Sequence, residues 1–351
     1  MPLLRRSGRD AASSGGDRRN LNAGDPAALP PPAAPAEGGA SSEDKAKSAF
    51  TYMSDAELRE RHLRANFSSI PEVHRFHNHL VSGDASRFYL DYFRAKYFGD
   101  GRPVDALSLG SGNGHLERTL LGSGWRFASL VGLELNPTLA EFAQAEVAAL
   151  PGASAVRYRT ADLNRLSLEP STADLAIFFH SLHHVEALQS CLLEVTKALR
   201  PGGILLVVDY FGPNRIQRSD ELLALCDLFL RRMPETYRID VAHSTSKNIV
   251  IKERCEKPSA DEVARNDPSE AVHSEEIEAT LRANASLELL EEKPLGGTFL
   301  EPLFENIAGN FKADDETAMA YVHMAIAAEE ALLRSRAVRS YFRFMVLRKK
   351  K

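Results

Sequence analysis

Three histidines and an aspartate stand where they could move protons. His180, His183 and His184 follow one short apolar run, and Asp209 and Tyr210 follow a later apolar run along the chain. The imidazole side chain has a pKa near neutrality, so it can donate or accept a proton at physiological pH. If both runs are parallel strands, their carboxyl ends meet at one edge of the sheet, where ligands bind. The pattern predicts a site there, with His180, His183 and Asp209 as candidate catalytic residues.

Two interpretations of the histidines stay open. Either His180 or His183 is a general base for an acceptor that is protonated at neutral pH, or both serve packing and the start of a helix. A metal site that combines them with His74, His77 and His79 lacks the ligand spacing of known zinc and iron patterns. We therefore expect no bound metal.

A glycine-rich segment precedes the histidines. Gly110, Gly112 and Gly114 form a GxGxG run between a predicted strand and a predicted helix. Glycine permits a tight turn and lets main-chain amides approach a ligand without a β-carbon in the way. The helix that follows adds unpaired donors and the positive end of its dipole. Dinucleotide-binding loops use GxGxxG, and His115 stands where they need a small residue, so the spacing disfavours a nicotinamide cofactor.

These residues must be positioned by a parallel sheet with crossover helices, because short apolar runs alternate with amphipathic segments from Val104 onwards. A helix is predicted over Glu186–Leu199 from apolar residues at helical spacing. The predicted strands are, in chain order, Val104–Leu109, Leu130–Glu134, Ala155–Thr160, Leu175–Phe179 and Ile204–Asp209.

The rest of the chain predicts mainly helices. A helix start with a nearby cap is predicted over Ser54–Leu58, and helices are predicted to dominate Ser219–Asn284. A strand over Ser286–Leu290, a helix over Glu316–Arg336 and a closing strand over Tyr341–Leu347 follow.

The glycine segment and four later segments, taken together and in order, resemble the motifs of class I S-adenosylmethionine-dependent methyltransferases. The segments are Leu107–Glu117, Val131–Asn136, Thr160–Leu163, Asp174–Val185 and Leu199–Gly203. The resemblance implies S-adenosylmethionine as cofactor. It also implies a Rossmann-like, mostly parallel sheet of seven strands in the order 3-2-1-4-5-7-6, with a helical lid and a helical cap inserted.

The resemblance further implies which residues hold the cofactor. Glu134 would accept hydrogen bonds from both ribose hydroxyls, and Asp162 would accept from the adenine amino group with Leu163 against the ring. Ser108 stands where many family members carry an acid, which leaves the hydrogen bonding of the loop open. The predicted cofactor contacts are Gly110, Ser111, Gly112, Gly114, Glu134, Leu135, Asp162, Leu163 and His180.

The implied reaction is methyl transfer to an oxygen or nitrogen of a small-molecule or glycan-like acceptor. The fourth predicted strand lacks the Asn/Asp-Pro-Pro-Tyr/Phe ending typical of methylated amino groups in adenine or glutamine, and no Pro-Cys nucleophile occurs. Tyr210 and Arg215 are predicted substrate contacts, although Arg215 could equally form an exposed ion pair. One alternative is a cofactor-binding module without catalysis. A nicotinamide-dependent oxidoreductase is disfavoured by the glycine spacing.

Three further segments are similar to a bacterial methyltransferase subgroup: Asp209–Gln217, Asp267–Ala271 and Pro294–Thr298. The second of these also has a local explanation, because Asp267, Pro268 and Glu270 match a helix start with a capping box. Residues Phe67–Leu80 are either a lid over the cofactor or a helix packed on the sheet.

Composition excludes several classes of function. The formal net charge of -5 gives no general attraction to nucleic acid or anionic membranes, and no apolar stretch is long enough to span a membrane. Cys191, Cys226 and Cys255 are far apart and indicate reduced thiols in a cytoplasmic protein. We expect a disordered leader over residues 1–48, a helical lid over 49–100, a cofactor-binding core over 101–210, a helical cap over 211–284 and completion of the sheet over 285–351.

Overall fold

The structure is a computed structural model that describes residues 50–351, so the predicted leader over residues 1–48 lies outside the described residues. Seven strands are present in this part of the chain: β1 (Val104–Leu109), β2 (Phe127–Glu134), β3 (Val156–Thr160), β4 (Ala173–Phe179), β5 (Leu199–Tyr210), β6 (Leu287–Gly296) and β7 (Phe342–Lys349). They form one sheet in the order β3-β2-β1-β4-β5-β7-β6, which confirms the predicted strand order.

All strands run parallel except β7, which pairs antiparallel with both β5 and β6. The buried runs of β1, β4 and β5 lie side by side at the middle of the sheet. Parallel strands end at the same edge, so the glycine segment after β1, the histidines after β4 and the end of β5 meet there.

Eleven α-helices are assigned within residues 50–351: α1 (Ala56–Ala65), α2 (Pro71–Ser82), α3 (Tyr89–Tyr97), α4 (His115–Gly122), α5 (Pro137–Val147), α6 (Leu188–Ala198), α7 (Asp220–Leu230), α8 (Ala260–Asn266), α9 (Ile277–Ala283), α10 (Leu300–Phe304) and α11 (Glu316–Arg334). The predicted start of α1 is confirmed, because Asp55 Oδ1 accepts a hydrogen bond of 2.9 Å from the backbone N–H of Leu58. This bond satisfies one of the free donors of the first turn.

Helices cover both faces of the sheet. On one face, Phe93 of α3 and Leu120 of α4 pack against Ile177 and other buried strand residues. On the other face, Leu192 and Val195 of α6 pack against the opposite side of the same strands. Each fully buried side chain of this size stabilises the fold by about 1.5–3 kcal/mol, so these helices fix where the strand ends lie.

A third apolar core lies outside the sheet and joins α2, α7, α10 and α11. Its fully buried residues include Val73 of α2, Leu230 of α7, Phe304 of α10 and Val322 of α11. Helix α2 also contacts β6. The segment Phe67–Leu80 is therefore packed on the edge of the sheet and on this third core.

The prediction that helices dominate Ser219–Asn284 is wrong for its middle part. Between α7 and α8 the structure assigns only a short 3-10 turn, Glu235–Tyr237, and two isolated bridges. The side-chain ammonium of Lys252 donates to the carbonyl groups of Pro302 and Glu305, each at 2.8 Å. The segment is thus held by its contacts with α10 rather than by helical hydrogen bonds.

Within residues 50–351, no helix is both long and apolar enough to cross a membrane. Cys191, Cys226 and Cys255 are buried and free of disulfide bonds, as the sequence predicts.

Candidate active site

The glycine segment after β1 turns sharply and leaves open space above its centre. Gly110, Gly112 and Gly114 all have positive φ angles, of 71°, 54° and 75°, which side chains rarely tolerate. A Cβ at Gly110 would lie 2.6 Å from the Cβ of Ser181, and one at Gly114 would lie 2.8 Å from the Cβ of Ala143. A Cβ at Gly112 would meet nothing within 4 Å. A ligand can therefore lie directly against the backbone at Gly112.

Glu134 closes one side of this space at the end of β2. Its side chain is buried, and its two carboxylate oxygens accept from the backbone N–H groups of Gly112 at 2.7 Å and Asn136 at 2.9 Å. Burial raises the pKa of Glu134, while these backbone donors oppose the rise. The carboxylate is thereby fixed beside the glycine loop, where it has the geometry to accept from a pair of ribose hydroxyls.

Asp162 and Leu163 lie at the end of β3, beside the same space. Asp162 Oδ1 accepts from Asn164 N at 2.9 Å and caps a short 3-10 turn. A methyl carbon of Leu163 would lie 3.7 Å from a Cβ built on Gly110, so this side chain reaches the glycine loop. The predicted contacts for adenine and ribose are thus brought together, and the residues fit S-adenosylmethionine.

Glu117 of α4 lies beside Ser108, the position where many family members carry an acid. Glu117 is fully buried, its Oε2 accepts a hydrogen bond of 3.3 Å from the Tyr158 hydroxyl, and the nearby side chain of Ser108 favours its charged form. Burial raises its pKa. A buried carboxylate from the helix therefore lies beside this strand position, which the sequence analysis did not foresee. The signal for it was a glutamate on the apolar face of an amphipathic helix.

His180 follows β4 and has a strained backbone, with a φ of 54°. Residues held in this region cost about 1–3 kcal/mol and persist where the surrounding structure fixes them, often at functional sites. Its side chain is exposed and so borders the solvent-accessible space at the carboxyl edge of the sheet, which is called the cleft below. The surrounding protein lowers its pKa. Its ring centroid is 5.6 Å from that of Phe342.

Asp209 at the end of β5 organises the loop after β4. It is fully buried and accepts from the backbone N–H groups of Ser181 at 2.9 Å, Leu182 at 2.7 Å and Tyr210 at 2.8 Å. Its Oδ1 also lies 2.5 Å from Nδ1 of His183. Burial opposes charge on both side chains, but their attraction to each other outweighs it, so the pKa of His183 rises to about 9 and that of Asp209 falls to about 2.

A second pair of carboxylates reaches the histidines from the turn after α8. Oε1 of Glu270 lies 3.7 Å from Nε2 of His183. Nδ1 of His184 lies 3.1 Å from the hydroxyl of Ser269 and 3.6 Å from Oδ2 of Asp267. The sequence analysis did not place these acids in the site, because the turn is far from the histidines along the chain.

The capping-box explanation for this turn is wrong. Asp267 follows the last residue of α8, and a turn, not a helix, continues from Pro268. Nη1 of Arg215 donates to the carbonyl groups of Pro268 at 2.7 Å and Glu270 at 3.0 Å, which holds the backbone in its turn. Arg215 forms no salt bridge with any residue from 50 to 351, so the ion-pair alternative is wrong too. Its role as a substrate contact stays a prediction.

Aromatic side chains lie beside the histidines at the cleft. Tyr210 is buried, its ring centroid is 5.4 Å from that of Phe342, and Phe342 in turn packs against Phe67 at 5.6 Å. Phe50, the first residue that the structure describes, packs its ring edge-on against that of His184, with 5.2 Å between the ring centroids. Burial and the nearby charges of Glu270 and Asp267 raise the pKa of Tyr52 to about 12. Phe50 and Tyr52 therefore lie over a group of polar side chains that is called the polar cluster below: His183, His184, Asp209, Asp267 and Glu270.

The histidines of α2 do not join that cluster as ligands. His74 is stacked on Phe88 at 5.7 Å, and His77 is buried with its ring 6.0 Å from that of Phe67. His79 is exposed on the surface of the helix. The metal site that the sequence analysis set aside, with these three histidines, is not assembled.

A comparison with known families identifies the core. Residues 107–207 match a family model described as a methyltransferase domain. Residues 107–207 therefore form a methyltransferase domain, and the strand order of the sheet is the one expected for class I S-adenosylmethionine-dependent methyltransferases. The matched segment runs from β1 to β5 and contains the glycine loop, Glu134, Asp162 and the histidines after β4. S-adenosylmethionine is the cofactor of this class, as the sequence predicts.

Similarity to curated proteins is confined to part of the chain. The chain is 26% identical over 118 residues to the sterol 4-C-methyltransferase strm-1 of Caenorhabditis elegans, and the match covers 34% of each chain. It is 30% identical over 156 residues to an uncharacterized 37.1 kDa protein in transposon TN4556 of Streptomyces fradiae, covering 42% of this chain and 44% of that protein. The chain spans less than half the length of the curated relatives it matches.

Solved structures with a similar fold include two complexes. Phosphoethanolamine N-methyltransferase 2 of Haemonchus contortus with S-adenosyl-L-methionine has 15% identity and a TM-score of 0.44, covering 86% of this chain and 60% of that one. The plantazolicin methyltransferase BpumL with SAH has 14% identity and a TM-score of 0.42, covering 88% of this chain and 96% of that one.

Proposed function

We propose that the protein transfers the methyl group of S-adenosylmethionine to an oxygen or nitrogen atom of a small-molecule or glycan-like acceptor. One observation carries the proposal: the cofactor loop and the polar residues beyond it are tied together by Ser181. Its hydroxyl donates to the carbonyl of Leu109 at 2.5 Å, and its backbone N–H donates to Asp209 at 2.9 Å. The donor side and the acceptor side of the reaction are thus held in one frame.

On the donor side, the bound cofactor supplies a methyl group that its sulfonium has already activated. The backbone at Gly112 leaves room for it, Glu134 holds the ribose, and Asp162 with Leu163 holds the adenine. Because the methyl group needs no further activation, the main task of the protein is alignment.

On the acceptor side, an oxygen or nitrogen that carries a proton at neutral pH must lose it during transfer. His183 and Glu270 present a nitrogen and an oxygen that can receive or bind such a group, and Asp209 fixes the ring of His183. His180 and Tyr210 border the cleft with aromatic surface, which limits the access of water.

The flanking helices enclose the acceptor in this proposal. Residues 49–100 serve as the lid through Phe50 and Phe67, which pack against His184 and Phe342. Residues 211–284 serve as the cap, since Glu270 reaches the site from there. Enclosure excludes water and commits the acceptor to reaction.

The first test is calorimetric titration with S-adenosylmethionine and, separately, with NADH. We expect micromolar affinity for the former alone. Transfer of labelled methyl is then screened over hydroxyl- and amine-bearing small molecules and sugars. Binding of NADH alone, or cofactor binding without transfer to any acceptor of these classes, would contradict the proposal.

A matched pair of variants tests the acceptor side. Asp209→Asn should lower methyl transfer at least 100-fold while cofactor affinity changes less than threefold, because the carboxylate contacts His183 directly and the glycine loop only through Ser181, whose backbone N–H can still donate to the asparagine oxygen. Asp240→Asn is the control, since Asp240 caps a turn at residues 242 and 243, away from the cluster, and should leave transfer unchanged. Circular dichroism verifies that both variants fold.

A further inference from the structure

The polar cluster beyond the cofactor loop has the composition of a metal site. His183, His184 and Glu270 each offer one ligand atom, and these atoms all lie within 4.8 Å of one another. Two imidazoles and one carboxylate come together here from separate parts of the chain, namely the loop after β4 and the turn after α8.

The distances suit one shared ion. Nε2 of His183 is 3.7 Å from Oε1 of Glu270, and Nε2 of His184 is 3.9 Å from Oε2 of the same carboxylate. Ligands about 2.1 Å from a tetrahedral ion are about 3.4 Å from each other. Each imidazole is therefore within a few tenths of an ångström of this spacing from Glu270, and all three ligand atoms lie within 4.8 Å of one another.

Contacts at the Nδ1 atoms orient both imidazole rings. Nδ1 of His183 is held by Asp209 at 2.5 Å, and Nδ1 of His184 lies 3.1 Å from the hydroxyl of Ser269. Each ring thereby turns its Nε2 towards Glu270. A metal-bound histidine almost always donates its other ring N–H to a carboxylate, a carbonyl or a similar partner, which fixes the ring and strengthens the ligand. Both rings have such a partner here, Asp209 for His183 and Ser269 for His184.

The charges of the cluster favour a cation. Asp209, Asp267 and Glu270 surround two imidazoles beneath Phe50 and Tyr52. Asp267 is nine-tenths buried, and its Oδ2 accepts no hydrogen bond from any residue that the structure describes. A buried carboxylate oxygen without a donor is costly, and a positive ion close by would offset that cost.

We propose that His183, His184 and Glu270 bind one divalent first-row transition metal ion, with a further coordination position open to an oxygen of the acceptor. Imidazole nitrogen with carboxylate oxygen is a ligand set for such metals, whereas Mg²⁺ and Ca²⁺ prefer oxygen ligands throughout. Three protein ligands leave room for a water or substrate oxygen, as in catalytic zinc sites. The use of the ion in methyl transfer rests on the proposed function; its binding does not.

The inference departs from the expectation that no metal is bound, and it is an alternative to the general-base role of His183. An ion on Nε2 of His183 occupies the atom that would take a proton from the acceptor. The acceptor would then be a molecule with a ligating oxygen, such as a hydroxyl or a carboxylate.

The experiment is a titration of the full chain with Co²⁺, after removal of metals with a chelator and dialysis. Visible absorption reports the coordination, and elemental analysis reports the stoichiometry. We expect one equivalent of Co²⁺ per chain, displaced by Zn²⁺. His184→Ala and Glu270→Gln should each weaken binding at least 100-fold, and Ser269→Ala about 10-fold, since it only orients His184. His273→Ala, a half-exposed histidine outside the cluster, is the control and should bind as the wild type does.

Two results would overturn the proposal: no stoichiometric Co²⁺ in the wild type, or unchanged binding in both ligand variants, which would place the ion elsewhere. Titration of each variant with S-adenosylmethionine verifies the fold, because the glycine loop is untouched. Metal binding without methyl transfer would contradict the proposed function and leave the metal site standing. If the wild type binds no Co²⁺ and still transfers methyl, the metal site is disproved, the proposed function stands, and His183 returns to the role of base.

Discussion

Gly112 has a φ of 54° and faces open space, which makes it the most direct test of where the cofactor lies. Gly112→Val should abolish S-adenosylmethionine binding in calorimetry, because the side chain strains the backbone and fills the space that the ligand needs. Gly83→Val is a matched control, since Gly83 also has a positive φ, of 79°, and open space but lies at the end of α2. It should lose about 1–3 kcal/mol of stability and keep cofactor affinity. Retained micromolar affinity in Gly112→Val would refute the placement.

Glu117 gives a prediction on pH. Burial raises its pKa in the folded state, so the folded protein binds this proton more tightly than the unfolded chain does. Its contribution to stability is therefore greatest in acid and falls as pH rises through about 4.3, the value in unfolded chains, to the folded pKa. Compared with Glu117→Gln, the wild type should lose stability in urea denaturation as pH rises from about 4.3 towards the folded pKa.

Glu60→Gln, at an exposed position of α1, is the control for this comparison and should follow the pH dependence of the wild type. Parallel curves for the wild type and Glu117→Gln would mean that the Glu117 carboxyl titrates alike in the folded and unfolded states.

Residues at the strand ends were open to prediction because their positions follow from local patterns. Glu134 and Asp162 directly end apolar runs, and Gly110 lies in a recognisable turn. The place of Glu270 could not be predicted in this way, because its approach to His183 depends on how a turn far along the chain folds back. Glu117 was missed for a different reason: a buried glutamate on a helix is ordinarily disfavoured, and only its partners Ser108 and Tyr158 explain it.

At the scale of elements, a buried ion pair joins the start of α7 to α10. Arg218 is 2% exposed, and its Nη2 lies 2.7 Å from Oε2 of Glu301. Arg218→Met leaves the carboxylate of Glu301 without its partner and should destabilise the protein by about 3–5 kcal/mol in urea denaturation. The double variant Arg218→Met/Glu301→Gln should lose less than the single one, because no unpaired buried charge remains.

Arg231→Met is the comparison for this pair, since Arg231 reaches Asp227 at 3.6 Å from an exposed position on the end of α7. Its loss should stay within about 1 kcal/mol. An equal effect of Arg218→Met and Arg231→Met would mean that burial adds nothing to the Arg218 pair.

The three segments that resemble a methyltransferase subgroup gain a common explanation from the structure. Arg215 of the first segment holds the backbone of the second at Pro268 and Glu270. In the third, a Cβ at Gly297 would lie 2.3 Å from the ring of Phe342, which borders the cleft. Local rules favoured a helix start at Pro268. A tertiary hydrogen bond from another segment decided otherwise, and a single sequence does not reveal such a bond.

At the scale of the whole molecule, cofactor binding should appear as added stability. A ligand at 100 times its Kd stabilises the folded state by about 2.7 kcal/mol, which for a protein of this size raises Tm by about 4 °C. We expect this shift in a thermal melt with S-adenosylmethionine and none with NADH. Gly112→Val should melt at the same temperature with and without the cofactor. A shift with NADH would point to a dinucleotide site.

The architecture was largely predictable, since strand periodicity and the order of motifs fix the parallel core and the resemblance supplies the strand order. The helical prediction failed between α7 and α8, where residues such as Lys252 make their hydrogen bonds to α10 instead of to their own segment. Amphipathic periodicity indicates which residues are buried, but it does not distinguish a helix from an irregular segment that packs on one.

The position of β7 separates the order of synthesis from the order of assembly. It lies between β5 and β6 in the sheet, yet both precede it in the chain. On the ribosome, β1 to β5 can pair as they emerge, whereas β6 appears before the strand it pairs with has been made. Until residues 342–349 follow, the backbone groups of β6 and one edge of β5 stay unpaired. During that interval this protein offers two open strand edges to chaperones and to neighbouring chains.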